Sequence, residues 1–175
     1  MVLAEWFDRR LFNELLFSTY EGMSEDRLRL LADEVFERQM LPALYSEAVD
    51  LVEKSRSAGH EIVLVSGMPD FVLERLAHHL GGCALICNRL EMRNQMATGK
   101  LLMPVVAGPE KARLIRHHAR ERGFDLDDCH AYSDSYSDVP MLSVVGHPAA
   151  VNPDPRLALM ARAYRWPMFR LSGKS

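Results

Sequence analysis

Residues 61–67, EIVLVSG, contain a short apolar run between two predicted helices. Such a run predicts a parallel strand that helices cover on both faces. Similar runs follow at 83–87 (CALIC), 129–133 (CHAYS) and 149–152 (AAVN), and WPMFRL at 166–171 can add a final strand. Because helical patterns separate these runs, the sequence predicts an α/β fold with a Rossmann-like, doubly wound parallel sheet and right-handed crossovers.

Two amphipathic helices are predicted ahead of the first strand. The first spans residues 3–20 and ends at Gly22, and Ser24 caps the second. Because both precede the sheet, we assign residues 1–42 to a partial helical cap and residues 43–175 to the α/β core.

Turn and cap residues set the other predicted elements. Helices are expected over 46–57, from Pro69 to Gly81, over 108–123, over 139–145 and over 155–163. Residues 88–103 read as two short strands joined at Asn94–Gln95, which predicts a hairpin insert.

Composition excludes several classes of protein. Hydrophobic residues make up 48% and charged residues 26% of the 175 positions, which is typical of a globular domain and not of a disordered one. A formal charge of -3 argues against a nucleic-acid-binding protein. No apolar run approaches the roughly 20 residues that span a bilayer. Three cysteines without a secretory signal indicate reduced thiols, so we expect a soluble cytoplasmic protein with no membrane span.

Polar residues follow the predicted strands at the edge where open parallel sheets bind ligands. Ser66 and Gly67 end the first core strand, Asp134 and Asp138 follow the third, and Lys111 lies in the first turn of a helix. A hydroxyl and backbone amides suit a phosphate, lysine supplies a compact positive charge, and the two carboxylates suit Mg²⁺. The sequence therefore predicts a site for a phosphate ester and Mg²⁺.

Each of these signals also has a simpler explanation. Ser-Gly after a strand is commonly a plain turn, and a lysine near a helix start is commonly solvated. An acidic turn such as SDSYSD (133–138) can simply cap the next helix. The order and spacing of the three signals favour the site.

Five segments together resemble the haloacid dehalogenase superfamily. They are VLVSGMPDFV (63–72), GPEKARLI (108–115), AYSDSYSDVPML (131–142), VGHPAAVNPDPRL (145–157) and RWP (165–167). Within that superfamily, the chain is most similar to the phosphoserine-phosphatase-like hydrolases of subfamily IB, which insert a helical cap after the first strand. The resemblance covers about residues 40–170, and the first 40 residues resemble the later part of that cap.

The resemblance implies a role for each matching residue. Ser66 would hydrogen-bond the transferring phosphoryl group, and Lys111 would stabilise negative charge. Asp134 would bind Mg²⁺ directly, and Asp138 would support the metal site through water or nearby groups. Many relatives have glycine and asparagine where this chain has Ser133 and Ser137.

The family's first motif, a strand ending in D-x-D-G-T, has no match before Ser66. Its first aspartate attacks phosphorus and its second acts as general acid and base. FDLDD (124–128) contains a D-x-D but follows the third motif and lacks Gly-Thr, so we interpret it as a loop. In the family the missing strand lies at the centre of the sheet. Without it the flanking strands would face each other across a gap, pair in a new register or borrow a strand. The 175 residues are therefore expected to be part of a longer unit.

The resemblance implies a Mg²⁺-dependent phosphatase that acts through an aspartyl-phosphate on a small phosphomonoester, such as phosphoserine or a phospholipid head group. Lacking the nucleophile, this chain is expected to be inactive alone. An alternative is a non-catalytic module that binds phosphate or a partner. A receiver-type signalling domain is disfavoured. In receivers the paired acids precede the lysine, whereas in this chain Lys111 precedes Asp134 and Asp138. An exposed central sheet edge would also favour a homo-oligomer.

Overall fold

The structure is a computed structural model that describes residues 16–173. The chain divides into two compact units. The first contains the residues up to Val106 together with Ser172 and Gly173, and the second contains Ala107–Leu171.

The first unit begins with helices. Residues 16–18 are helical, and Gly22 follows with a positive φ of 76°. The Ser24 hydroxyl accepts the backbone N–H of Arg27, which confirms the predicted helix start. The helices of this part are α1 (Glu25–Val35), a π-helical turn (Phe36–Met40), a 3₁₀ turn (Leu41–Ala43) and α2 (Ser46–Ser57). Most of the helix predicted over residues 3–20 falls outside the described residues.

A three-stranded sheet completes the first unit in the order β1–β2–β3. Its elements are β1 (Val63–Pro69), α3 (Asp70–His79), β2 (Ala84–Arg93) and β3 (Met96–Leu102). β1 and β2 are parallel and are joined by α3, as a crossover connection requires. The predicted hairpin is confirmed, because Asn94 and Gln95 both have positive φ and join β2 to the antiparallel β3.

One detail of the predicted sheet is wrong. CALIC and the first arm of the hairpin are not separate strands, because β2 is continuous over ten residues. Its first half pairs with β1 and its second half pairs with β3. The sequence NRL at 88–90 contains no glycine or proline that would interrupt a strand.

The hairpin shares its apolar core with the N-terminal helices. Phe17, Leu28, Leu90 and Ala97 are buried together. Tyr20 lies edge-on to Phe17, with their ring centroids 5.8 Å apart. These contacts bury one face of the hairpin, and such burial is the main source of stability for a short strand pair.

The second unit contains its own three-stranded parallel sheet, in the order β4–β5–β6. Its elements are α4 (Pro109–Arg122), a 3₁₀ turn (Leu126–Asp128), β4 (His130–Ser133), a 3₁₀ turn (Tyr136–Asp138), α5 (Val139–Leu142), β5 (His147–Val151), α6 (Pro155–Tyr164) and β6 (Met168–Phe169). Gly123 ends α4 with a φ of 71°, as predicted.

The α/β class predicted from the sequence is confirmed, with parallel strands and intervening helices in each unit. FDLDD forms the loop and turn that enter β4, as predicted. Among the described residues, no helix is both long and apolar enough to cross a membrane.

Candidate functional site

Lys111 and Asp138 form a buried ion pair in the second unit. Lys111 lies in the first turn of α4, and Asp138 ends the turn that follows β4. The lysine Nζ lies 2.6 Å from Asp138 Oδ1, and the two side chains are only 11% and 12% exposed. The Ser133 hydroxyl donates to Asp138 Oδ2 at 2.8 Å. Both carboxylate oxygens therefore have a partner, which a buried charge requires.

Asp134 presents the other carboxylate of this segment. It is the first residue after β4 and is exposed to solvent. Mg²⁺ in proteins keeps several waters and takes one or two carboxylates, so the oxygen ligand that Asp134 offers suits it chemically. Among residues 16–173, no group of three or more acidic, histidine or cysteine side chains could enclose a metal.

Serine hydroxyls organise the backbone between the two acids. The Ser133 hydroxyl accepts the N–H of Ser135 at 3.1 Å, and the hydroxyls of Ser135 and Ser137 lie 3.0 Å apart. Ser133 thus bonds both the loop backbone and Asp138. The Ser133 hydroxyl therefore links the start of the loop to the acid at its end.

Asp154 also contacts this loop, although the sequence analysis did not single it out. Its carboxylate accepts the backbone N–H groups of Tyr136 at 2.7 Å, Leu157 at 2.8 Å and Arg156 at 3.0 Å. Burial opposes ionisation of Asp154, but these N–H groups together outweigh it and hold the pKa of the carboxyl below its usual range. The sequence does contain a signal for this capping role, because Asp154 precedes Pro155 and an Asp followed by Pro is common at helix starts.

Ser66 and Gly67 lie in the first unit, at a bulge near the end of β1. Ser66 pairs with Cys87, but the next paired residue is Pro69 with Asn88, so Gly67 and Met68 leave the ladder. The Ser66 hydroxyl accepts the N–H of Met68 at 3.1 Å. The prediction that Ser66 and Gly67 end the strand is wrong, because β1 continues through this bulge to Pro69.

Asn88 fixes this bulge and was also missed. It is fully buried, and its Nδ2 donates to the Gly67 carbonyl at 2.8 Å. Its Oδ1 accepts the N–H of Val106 at 2.7 Å. The buried Asn88 amide, whose nitrogen and oxygen are both hydrogen-bonded, joins the bulge at Ser66 and Gly67 to the segment that ends the first unit.

Burial also raises the pKa of two groups beside the bulge, the Asp70 carboxyl and the Cys87 thiol. Burial is the main cause of the raised pKa of Asp70, and the N–H of Phe71 opposes it. Burial and, next, the negative charge of Asp70 raise the pKa of the Cys87 thiol to about 11. Cys87 is therefore a neutral thiol and not a nucleophile at ordinary pH.

Comparison with known proteins gives a consistent picture. A family model described as haloacid dehalogenase-like hydrolase matches residues 3–143. The inhibition of morphological differentiation protein of Streptomyces azureus is 35% identical over 147 residues, which are 84% of this chain and 53% of that protein. Phosphoserine phosphatase SerB1 of Mycobacterium tuberculosis is 33% identical over 157 residues, 89% of this chain and 51% of its own. The chain thus spans about half the length of these curated relatives.

Solved structures share the fold. A protein of unknown function from Bordetella pertussis Tohama I is similar with a TM-score of 0.85 and 28% identity, over 95% of this chain and 78% of that one. A probable phosphoserine phosphatase from Vibrio cholerae has a TM-score of 0.74 and 22% identity, over 97% of this chain and 52% of that one. At that identity, the second likeness shows the fold alone.

Proposed function

Since the chain belongs to the haloacid dehalogenase-like hydrolase family, we propose that it carries the phosphate- and metal-binding residues of a Mg²⁺-dependent phosphomonoester phosphatase. The observation that carries the proposal is the buried Lys111–Asp138 pair beside the exposed Asp134. One relative, SerB1 of M. tuberculosis, is named a phosphoserine phosphatase, which supports a small phosphorylated metabolite such as phosphoserine as the substrate.

In this proposal Lys111 provides the positive charge for the phosphoryl group. Asp138 and Ser133 fix the lysine position, because Asp138 accepts from both side chains. A preorganised cation in a water-poor site stabilises developing negative charge more than a mobile surface lysine does. The phosphate-binding roles of Ser66 and Gly67 stay predictions of the resemblance.

Asp134 would hold Mg²⁺, with Asp138 supporting the site. The metal, when bound, would neutralise charge on the phosphoryl oxygens. The assignment of residues 1–42 to a cap and 43–175 to the core, and the cytoplasmic location, remain predictions.

The chemical step needs an aspartate that this sequence does not contain in a D-x-D-G-T context. That carboxylate would attack phosphorus, the ester P–O bond would break, and the alcohol would leave with a proton. Water would then hydrolyse the aspartyl-phosphate to inorganic phosphate and free carboxylate. We therefore expect no turnover by the 175 residues alone.

The binding half of the proposal is tested on the chain itself. Inorganic phosphate binding is measured by calorimetry with and without Mg²⁺, for the unmodified chain and for Lys111→Met. Lys100→Met is the matched control, because Lys100 is exposed on β3. We expect Lys111→Met to weaken binding at least tenfold and Lys100→Met to leave it unchanged. Equal binding by all three proteins would contradict the proposal.

The catalytic half is tested with a form of the protein that carries D-x-D-G-T ahead of the cap helices. We expect Mg²⁺-dependent hydrolysis of p-nitrophenyl phosphate by that form and none after its first aspartate is changed to asparagine. No hydrolysis with or without Mg²⁺ would reject the phosphatase.

A second candidate is a non-catalytic module that binds phosphate or a partner protein. Retention of Ser66, Lys111, Asp134 and Asp138 favours the phosphatase over it. It predicts the same phosphate binding but no hydrolysis in any natural form of the protein. The two experiments together therefore separate the candidates.

A further inference from the structure

Asp154 uses its two carboxylate oxygens for different purposes. Oδ1 accepts the N–H groups of Arg156 and Leu157, at 3.0 and 2.8 Å, and so caps α6. Oδ2 accepts the N–H of Tyr136 at 2.7 Å, 18 residues earlier in the chain. A helix cap needs only the first of these oxygens. The second bonds the loop that carries the acids.

The backbone of Asp154 bonds the same loop again. Its N–H donates to the carbonyl of Asp134 at 2.8 Å. One residue therefore holds the segment 134–136 at both ends. Asp134 itself is exposed, so the direction of its carboxylate depends on how firmly its backbone is fixed.

The helix that Asp154 begins is well packed. Asp154 begins α6, and Leu157 and Ala161 on that helix are fully buried. The Arg156 guanidinium lies 4.2 Å from the centre of the Tyr136 ring, which adds a cation–π contact between the helix and the loop. The loop is thus attached to a packed element and not only to its own serines.

We infer that Asp154 is a positioning residue for Asp134, holding the loop in the conformation in which the Asp134 carboxylate binds a divalent cation. The inference rests on the proposed function and deepens it. Groups that orient metal ligands from behind commonly change metal affinity 10–100-fold when they are removed. An aspartate that served only as a helix cap would have no such effect.

The variant Asp154→Asn separates the two purposes. Asparagine caps helices as well as aspartate does, so its carbonyl oxygen can still accept from Leu157 and Arg156. Its other terminal atom is an NH₂ group, which cannot accept the N–H of Tyr136. Asp154→Ala removes both functions. Asp125→Asn is the matched control, because Asp125 caps a different turn through the N–H of Asp127.

Three quantities are measured on each protein: Mn²⁺ affinity by electron paramagnetic resonance, amide hydrogen exchange by NMR, and the thermal midpoint. For Asp154→Asn we expect Mn²⁺ binding at least tenfold weaker, loss of protection at the Tyr136 amide, retained protection at Leu157 and a nearly unchanged midpoint. Asp154→Ala should lose both protections and unfold at lower temperature. Asp125→Asn should keep the wild-type Mn²⁺ affinity.

The outcomes distinguish two failures. If the wild-type chain binds Mn²⁺ and Asp154→Asn binds it equally well, the positioning role is wrong while the proposed metal site stands. If the wild-type chain binds no Mn²⁺, the proposed metal site is wrong, and the role of Asp154 is wrong with it.

Discussion

Replacing Lys111 by methionine should destabilise the second unit strongly. The Asp138 carboxylate, whose side chain is 12% exposed, then keeps only the Ser133 hydroxyl as a side-chain partner within residues 16–173. Removing one partner of a buried ion pair typically costs about 3–5 kcal/mol, and we expect the low end, about 3 kcal/mol, because Ser133 still donates. With a urea m-value of about 2 kcal/mol per molar, the unfolding midpoint should fall by about 1.5 M.

The assay follows unfolding of the second unit by fluorescence. The chain has two tryptophans, so in a Trp6→Phe background Trp166 alone reports on the unit that contains the pair. Arg113→Met is the control, because Arg113 in the same unit donates to the Glu110 carboxylate at 2.7 Å and its side chain is more than half exposed. Exposed pairs contribute little, so this midpoint should hardly move.

A double-mutant cycle completes the test. Asp138→Asn alone leaves Lys111 buried without a carboxylate, while Lys111→Met with Asp138→Asn removes both charges. We expect the double variant to lose less stability than the sum of the single variants, with a coupling of about 2 kcal/mol. Strictly additive losses, or a Lys111→Met midpoint as high as that of Arg113→Met, would refute the reasoning.

Three further outcomes are expected. Asn88→Ala should cost about 2–4 kcal/mol in urea unfolding, because the partly buried Gly67 carbonyl and the buried Val106 N–H lose their Asn88 partner. A loss below about 1 kcal/mol would contradict this. Gly146→Ala should lower the thermal midpoint or prevent folding, because a Cβ at this position would lie 1.8 Å from the Asp127 carbonyl oxygen. A thermal midpoint equal to that of the wild type would contradict this. Cys87, with a pKa of about 11, should react with iodoacetamide at pH 8 far more slowly in the folded protein than in urea. The reaction rate of the folded protein should rise as the pH increases from 9 toward 11. Equal rates in urea and in buffer would argue against burial as the cause of the raised pKa.

Local sequence signals predicted most elements of the fold. Residues 46–57 and the helix from Pro109 were predicted almost to the residue, because proline and glycine residues flank them. The hairpin turn at Asn94–Gln95 was also found, and both residues adopt the positive φ that tight hairpin turns require. The fusion of two predicted strands into β2 was missed, since no residue pattern distinguishes one long strand from two adjacent ones.

The candidate site was only partly predictable. Lys111 and Asp138 were chosen by type and order, and the structure brings them into contact. Asn88 and Asp154 were missed because their loop partners lie 21 and 18 positions away. A residue that stabilises a loop from such a distance leaves no local pattern, and only the packed fold identifies it.

The continuous strand β2 also sets an order of assembly. Its pairing with β3 closes a two-residue turn, and hairpins of this kind form in about 1–10 μs. Its parallel pairing with β1 spans the whole of α3, and contacts between such distant residues form more slowly. During synthesis β1 is complete before β2 exists, so β1 stays unpaired until β2 has been made. We therefore expect the hairpin to fold first and to act as the template on which β1 docks.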